Sequence, residues 1–372
     1  MNEPFEIARA LAKTAFGATI KYREVAQKCQ QDFQEKICAK YSCTRQKKFL
    51  IYFHFHWQER KSRAHDKKLM SPIAKNLFIG TAGWSYPDWN NLVYPNRRPK
   101  DFAELTFISK LFNVVEINST YYNPQSTGAS REWLKQTAAN PRFRFTAKLW
   151  QKFSLEKVRD GDTGYAQSDI EITKRGMRPL LEAGRLGALL VQFPQSFHYN
   201  ESNHDRVARL LEAFQEYPLV VEIRHDSWNQ SEALQLLNER GVGFANIDQP
   251  QIGHALGFTE IVSGRTAYFR FHGRNQEQWL NKDAGVDQRY DYLYAAAELN
   301  DFIGAIRKAL RQTEGTFVIF NNHPRAQAVV NALQLQFELA GVKVNVPEKL
   351  LQAHPELAPL RLGENPRQAE LF

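Results

Sequence analysis

Eight short apolar runs recur between residues 77 and 321, and each closes on a polar residue. They span 77–81, 114–118, 143–148, 188–192, 219–224, 242–248, 267–272 and 316–321. Near-continuous apolar runs, rather than alternation, are what strands covered on both faces require. Helix-patterned stretches separate most of them, at 101–112, 130–139, 169–183, 203–214, 231–240, 291–310 and 325–340, with a weak unit at 252–260. Strands alternating with helices imply parallel βαβ units. Eight such units predict an α/β fold, a single (β/α)8 TIM barrel, whose chemistry sits at the C-terminal strand ends. The polar residues that close the runs are therefore the first functional candidates.

Local signals refine these elements. Asp101 and Ser130 are candidate helix N-caps. Pro179 predicts a kink or break in the third helix, whereas Pro324 suits a helix start. Gly184, Gly241 and Gly341 stand where helices hand over to strands, as C′ glycines do. Pro347, Pro355, Pro359 and Pro366 predict a partly extended tail over 346–372.

A hydrophobic fraction of 43% with 12% aromatic residues supports a sizeable core and excludes general disorder. The net charge of +9 is unevenly spread. Residues 1–69 hold 15 Lys and Arg against 7 Asp and Glu, while residues 70–372 hold 34 against 33. The basic character belongs to the extension and is no evidence for a nucleic-acid groove on the barrel. Cys29, Cys38 and Cys43 are the only cysteines, and all lie in the same extension. The barrel thus has no thiol nucleophile and no disulfide framework, which fits a reducing compartment. Cys29, Cys38, Cys43 and His54 could supply four zinc ligands, but without the paired short spacing of a zinc site. No apolar run approaches the ~20 residues of a membrane span, so a cytoplasmic protein without a membrane partner is expected. Met70 precedes the first strand. Residues 1–69 are accordingly expected to be translated upstream sequence or a mobile arm, with the barrel over 70–345.

The strand ends carry the candidate chemistry. After the first run, Trp84, Tyr86 and Trp89 offer flat faces to a sugar or base; as plain structure they plug the barrel mouth. Glu116 and Glu222 each interrupt an apolar run near its C-terminal end. A buried carboxylate needs a partner, and Arg224, Lys148, Arg270 and Arg274 are available. The pair is therefore either an inward ion-pair network or a general acid/base pair. Arg270, His272 and Arg274 share one face by strand alternation and resemble an anion site, with His272 a further acid/base candidate. Asn118, Lys148, Gln192, His225, Asp248 and Asn321 complete the ring.

Three chemistries compete. A glycosidase using Glu116 and Glu222 suits the aromatics, but the surplus of Arg and Lys suits a neutral sugar poorly. Glu222, His225, Asp248 and His272 could hold a single divalent metal, although Lys148, Gln192 and Asn321 stand where a multi-metal site needs ligands. A site without metal that binds a phosphate-bearing small molecule or nucleic acid fits the charges best. A barrel that binds such a ligand or a protein without turnover is the competing class. On this reading, Glu222→Gln and Arg270→Ala each abolish function and leave the fold intact.

The strand-end motifs resemble a known family. Gly80-Thr81-Ala82-Gly83-Trp84-Ser85-Tyr86-Pro87-Asp88-Trp89 is similar to the opening signature of the YecE-like domain-of-unknown-function family, number seventy-two in its series. Val115-Glu116-Ile117-Asn118-Ser119-Thr120-Tyr121-Tyr122, Phe143-Arg144-Phe145-Thr146-Ala147-Lys148 and Gln192-Phe193-Pro194 continue the likeness in order. So do Glu222-Ile223-Arg224-His225-Asp226-Ser227-Trp228, Phe271-His272-Gly273-Arg274 and Phe320-Asn321-Asn322. The resemblance covers about residues 76–340 and leaves out the extension. It implies a TIM barrel and no particular activity.

The last residues, Gln368-Ala369-Glu370-Leu371-Phe372, are similar to the short peptide by which bacterial replication and repair proteins bind the sliding clamp. Leu371 and Phe372 would enter an apolar pocket, with Gln368 bonding at its rim. Such a partner would favour a DNA-linked role.

Overall fold

The computed structural model describes residues 74–155, 165–341 and 343–362. The extension with its cysteines and His54, and the clamp-like Gln368, Leu371 and Phe372, lie outside the described residues.

The eight runs form eight parallel strands closed into a barrel in sequence order. They are β1 (Leu77–Ala82), β2 (Val114–Ile117), β3 (Arg144–Lys148), β4 (Leu186–Gln192), β5 (Leu219–Glu222), β6 (Gly243–Asp248), β7 (Thr266–Phe271) and β8 (Gly315–Phe320). β1 pairs with both β2 and β8, which closes the ring. The outer layer includes α1 (Glu104–Leu111), α2 (Ser119–Tyr122), α3 (Thr127–Gln136), α4 (Lys152–Leu155), α5 (Gln167–Glu182), α6 (Glu201–Ala213) and α7 (Ser231–Glu239). It continues with α8 (Gln276–Leu280), α9 (Val286–Tyr290), α10 (Ala296–Leu310), α11 (Gln327–Ala340) and α12 (Glu348–Ala353).

Two cores result, one on each face of the sheet. Phe78, Val114, Leu190, Val220, Tyr268, Phe317 and Ile319 cluster inside the barrel. The larger cluster joins the alternate strand residues, such as Val115, Phe145, Val221 and Phe269, to helix residues such as Ile108, Leu210 and Leu333. This double burial is why the strands read as apolar runs. Gly80 permits the closest approach in the ring: a Cβ there would stand 1.8 Å from the Val114 carbonyl oxygen.

Several boundaries differ from the sequence expectation. Asp101 does not cap α1, whose N-cap is Ala103; the chain stays outside the helix while Phe102 packs on Tyr94 and Phe107. Ser126, not Ser130, caps α3 by accepting the Ala129 amide. Ser130 instead lies buried within α3 and donates to the Gly176 carbonyl of α5 at 2.7 Å. Pro179 does not break α5, because buried residues on both sides of it, Ile170, Met177 and Leu180, hold one continuous face on the sheet. The weak 252–260 unit forms no helix. Arg325 and Ala326 adopt left-handed φ values of 55° and 58°, so α11 starts only at Gln327. Gly184, Gly241 and Gly341 do take left-handed φ values of 63°, 65° and 65°. Residues 346–362, expected as a partly extended tail, fold back: α12 and a 3-10 turn (Pro355–Leu360) bury Leu350, Leu357 and Leu360. The spacing of those leucines supplies an apolar face that the prolines obscured.

No helix among the described residues is long and apolar enough to cross a membrane.

Candidate functional site

Strand alternation sends Glu116, Thr146, Glu222, Tyr268 and Arg270 into the barrel, where Arg270 bridges two carboxylates. Its Nη2 and Nε donate to Glu116 Oε1 and Oε2 at 2.7 and 2.9 Å, and its Nη1 donates to Glu222 Oε2 at 2.7 Å. All three side chains are 0% exposed. The Tyr268 hydroxyl donates to Glu116 Oε2 at 2.8 Å and stands 2.8 Å from Thr146 Oγ1. Arg224, just past β5, donates through Nε to Glu222 Oε1 at 2.8 Å. Both carboxylates are thus saturated by guanidiniums. Burial alone would raise the Glu222 carboxyl, but Arg270 and Arg224 overcome it and hold it well below the usual carboxylate range. The ion-pair account of Glu116 and Glu222 fits this geometry better than a proton-exchanging pair.

His272 completes the network. Its Nε2 lies 3.2 Å from Arg224 Nη2, 3.3 Å from Arg270 Nη1 and 3.5 Å from Glu222 Oε1. Its Nδ1 lies 3.1 Å from the Asn321 amide. Burial, and then the two guanidiniums, push the imidazole down to about 3. His272 is therefore neutral near pH 7, and the geometry favours a polar contact over a proton shuttle.

Two groups at the top of the barrel are left over. Lys148 ends β3 half-buried; its Nζ lies 5.2 Å from the Tyr121 ring centroid and has no hydrogen bond or ion pair among the described residues. Burial, followed by the Arg270 charge, pushes its amine down to about 7, against the upward pull of Glu116 and Glu222. Asn118 follows β2 directly, and its Oδ1 is buried with no hydrogen-bond partner. Ile117 and Ala147 are the last pair of the β2–β3 register, and Asn118 and Lys148 each follow directly in the chain. An unsatisfied acceptor and an unsatisfied donor thus stand at the C-terminal ends of two adjacent strands, each without a hydrogen-bond partner among the described residues.

Other expected ring members face elsewhere. Asp248 points to the helix layer, where it forks with Arg274 at 2.9–3.1 Å and accepts from the Tyr294 hydroxyl at 2.6 Å. Arg274 leaves the Arg270–His272 face because Gly273 turns the chain at φ +88°; it pairs with Asp248 and with Glu298 at 3.0 Å. His225 lies outside the network, bonded to Ser227 and stacked on His254 at 5.2 Å. The suggested metal set of Glu222, His225, Asp248 and His272 therefore does not converge. Trp84, half-buried, packs edge-on against Trp133 of α3, and Trp89 is fully buried as part of the core. Tyr86 bonds to the Ala82 carbonyl at 2.6 Å and stacks on His323 at 4.3 Å. Burial raises its phenol.

The sequence reading missed three aromatic neighbours of the site. Tyr121 underlies Lys148. Tyr290 lies 5.9 Å from the His272 ring, and Trp279 lies 5.9 Å from the Arg224 guanidinium. Trp279 and Tyr290 belong to the connection after β7, and barrel topology alone puts that connection at the C-terminal face.

The fold and this site define a TIM barrel whose mouth is built over an internal Glu–Arg–Glu bridge. The chain belongs to the family described as "Protein of unknown function DUF72", which residues 78–356 match. It is 26% identical over 314 residues to UPF0759 protein YunF of Bacillus subtilis (strain 168), covering 80% of this chain and 100% of that protein. It is also similar to the crystal structure of a DUF72 family protein from Thermotoga maritima, with 33% identity and a TM-score of 0.61. That match covers 71% of this chain and 98% of the other. A DUF72 family protein from Enterococcus faecalis matches with 27% identity and a TM-score of 0.63, over 72% of this chain and 97% of the other.

Proposed function

We propose that the C-terminal mouth of the barrel binds and acts on a small hydroxylated anion, most simply a phosphate-bearing molecule or a nucleic-acid fragment. The observation that carries this reading is that Lys148 Nζ and Asn118 Oδ1, at the ends of adjacent strands, both lack a hydrogen-bond partner among the described residues. Arg270 is consumed by Glu116 and Glu222, and Arg274 by Asp248 and Glu298, so neither is the anion ligand that the sequence pattern suggests. Lys148 is the cation of the inner ring without a carboxylate partner among the described residues. With His272 neutral, Glu116 and Glu222 balance Arg224 and Arg270. A protonated Lys148 then leaves one positive charge for a ligand. Binding an anion raises the Lys148 proton affinity, so binding should take up a proton near pH 7. Asn118 Oδ1 accepts from a ligand hydroxyl, and Tyr121, Tyr290 and Trp279 supply flat walls.

A two-carboxylate mechanism on a neutral glycan is less well supported, since one guanidinium holds both Glu116 and Glu222. The clamp contact through Gln368, Leu371 and Phe372 is a separate proposal: deletion of residues 368–372 should abolish capture by a sliding clamp.

The test is a thermal-shift panel on the full chain with inorganic phosphate, sugar phosphates, nucleotides, abasic DNA and neutral sugars. A native-state ligand at a hundredfold excess over Kd adds about 2.7 kcal/mol. A shift with phosphorylated compounds that disappears in Lys148→Met and weakens in Asn118→Ala is the expected result. A shift with neutral sugars alone, or one unchanged in both variants, overturns the reading.

A further inference from the structure

The geometry points to Lys148 as a covalent nucleophile: its amine condenses with the aldehyde or ketone of an anionic ligand to form an imine at the barrel mouth. This deepens the proposed function and rests on it for the position of the ligand.

Three features of the site support the assignment. First, the amine has no ion pair among the described residues, whereas the carboxylates and guanidiniums around it pair with one another. Arg270 grips Glu116 in a fork and reaches Glu222, and Arg224 also holds Glu222. Among the described residues, no carboxylate pairs with Lys148 to fix it as a structural cation. Second, the balance of burial and of the groups facing it from neighbouring elements keeps its proton loosely held, although two of those groups, Glu116 and Glu222, pull the other way. These are Glu116 on β2, Tyr121 on α2, Glu222 and Arg224 at the end of β5, and Arg270 on β7. Burial and Arg270 dominate and push the amine down to about 7. A desolvated lysine beside another cation is the established way to make an amine nucleophilic near neutral pH. Third, Asn118 Oδ1, unpartnered among the described residues one residue past the end of the adjacent strand β2, can accept a hydrogen bond from a hydroxyl of the ligand.

The step balances without a further reactant. The neutral Nζ adds to the carbonyl carbon, the C–O π bond breaks, and a carbinolamine forms. Both nitrogen protons then leave on that oxygen as water, giving C=N in place of C=O. Protonation from solvent yields the iminium, whose charge faces Glu116 and Glu222 and which withdraws electrons from the adjacent carbon.

The test is borohydride trapping on the full chain at pH 7.5, using glyceraldehyde 3-phosphate and glyceraldehyde as probes. Peptide mass mapping locates the adduct, and inorganic phosphate is run in parallel by thermal shift. The expected result is reductive labelling concentrated at Lys148, at least tenfold above any surface lysine. It should be faster with the phosphorylated probe and absent in Lys148→Arg. Phosphate stabilisation without labelling of Lys148 overturns the imine and leaves the anion reading standing. Labelling no faster at Lys148 than at surface lysines also overturns it. Neither labelling nor stabilisation removes both. The Lys148→Met variant, checked by circular dichroism for an intact fold, separates loss of the nucleophile from misfolding.

Discussion

Arg270 and Glu116 form a two-point fork inside the barrel, Nη2 to Oε1 at 2.7 Å and Nε to Oε2 at 2.9 Å. The third nitrogen of the same guanidinium is spent on Glu222. Arg270 is therefore a structural keystone as much as a site residue. Arg270→Ala leaves two buried carboxylates facing each other and should cost about 3–5 kcal/mol of stability. Urea unfolding monitored by circular dichroism measures this. The variant was expected from the sequence to leave the fold intact, and the fork removes that expectation. Combining Arg270→Met with Glu116→Gln, which removes one charge of each sign and leaves Glu222 paired with Arg224, should recover much of the loss. A loss below about 1 kcal/mol in Arg270→Ala would mean that the carboxylates are solvated rather than sealed.

His272 sets a pH dependence. Its folded value of about 3 lies below the ordinary 6.5, so the unfolded chain binds the extra proton between those values. Stability from this group is complete above pH 6.5 and is lost as pH falls toward 3. Glu222, also depressed on folding, adds its own loss only below its ordinary value of 4.5. Between pH 6.5 and 4.5 the two are separable. One proton corresponds to a slope of about 1.4 kcal/mol per pH unit. His272→Gln should remove that much from the slope of unfolding free energy across pH 5–6. His323, whose value burial also lowers, should retain its own contribution. An unchanged slope would show that His272 is protonated in the folded state.

Lys148 should be a stability liability. An amine with a folded value near 7 costs folding free energy at and below that pH, because the unfolded chain keeps a proton that the folded chain holds weakly. Lys148→Met should stabilise the protein by roughly 1–3 kcal/mol at pH 6–7, with a gain that shrinks as pH rises toward 10. Differential scanning calorimetry across that range decides it. Destabilisation at pH 6–7 would show that the amine is anchored by favourable contacts.

Gly80 should tolerate no side chain. The nearest atom to an added Cβ would be the Val114 carbonyl oxygen at 1.8 Å, and backbone in a closed ring cannot step aside. Gly80→Ala should cost about 3 kcal/mol or more and lower the yield of folded protein. Gly184, which has no atom within 4 Å of its would-be Cβ but a φ of +63°, should pay only the smaller conformational cost of about 1 kcal/mol on the same change. Equal losses at the two glycines would contradict this ranking.

The sequence alone determined the eight strands and their order, because burial on both sides leaves a continuous apolar run. It also marked Glu116, Glu222, Arg270 and His272, since a charge inside such a run must find a partner. Which partner it finds was decided only by the tertiary structure. Strand alternation predicts Arg274 beside Arg270 and His272, but the left-handed turn at Gly273 diverts it to Asp248. Trp89 reads as a ligand platform in sequence but is fully buried, because an apolar ring looks the same in sequence whether a helix or a ligand covers it. Lys148 and Asn118 are in the sequence two among several candidate strand-end residues. The closed ring singles them out, because the neighbouring charges among the described residues are matched with one another. Pairing across a barrel joins residues more than a hundred positions apart, and local pattern carries no information about which of them will meet.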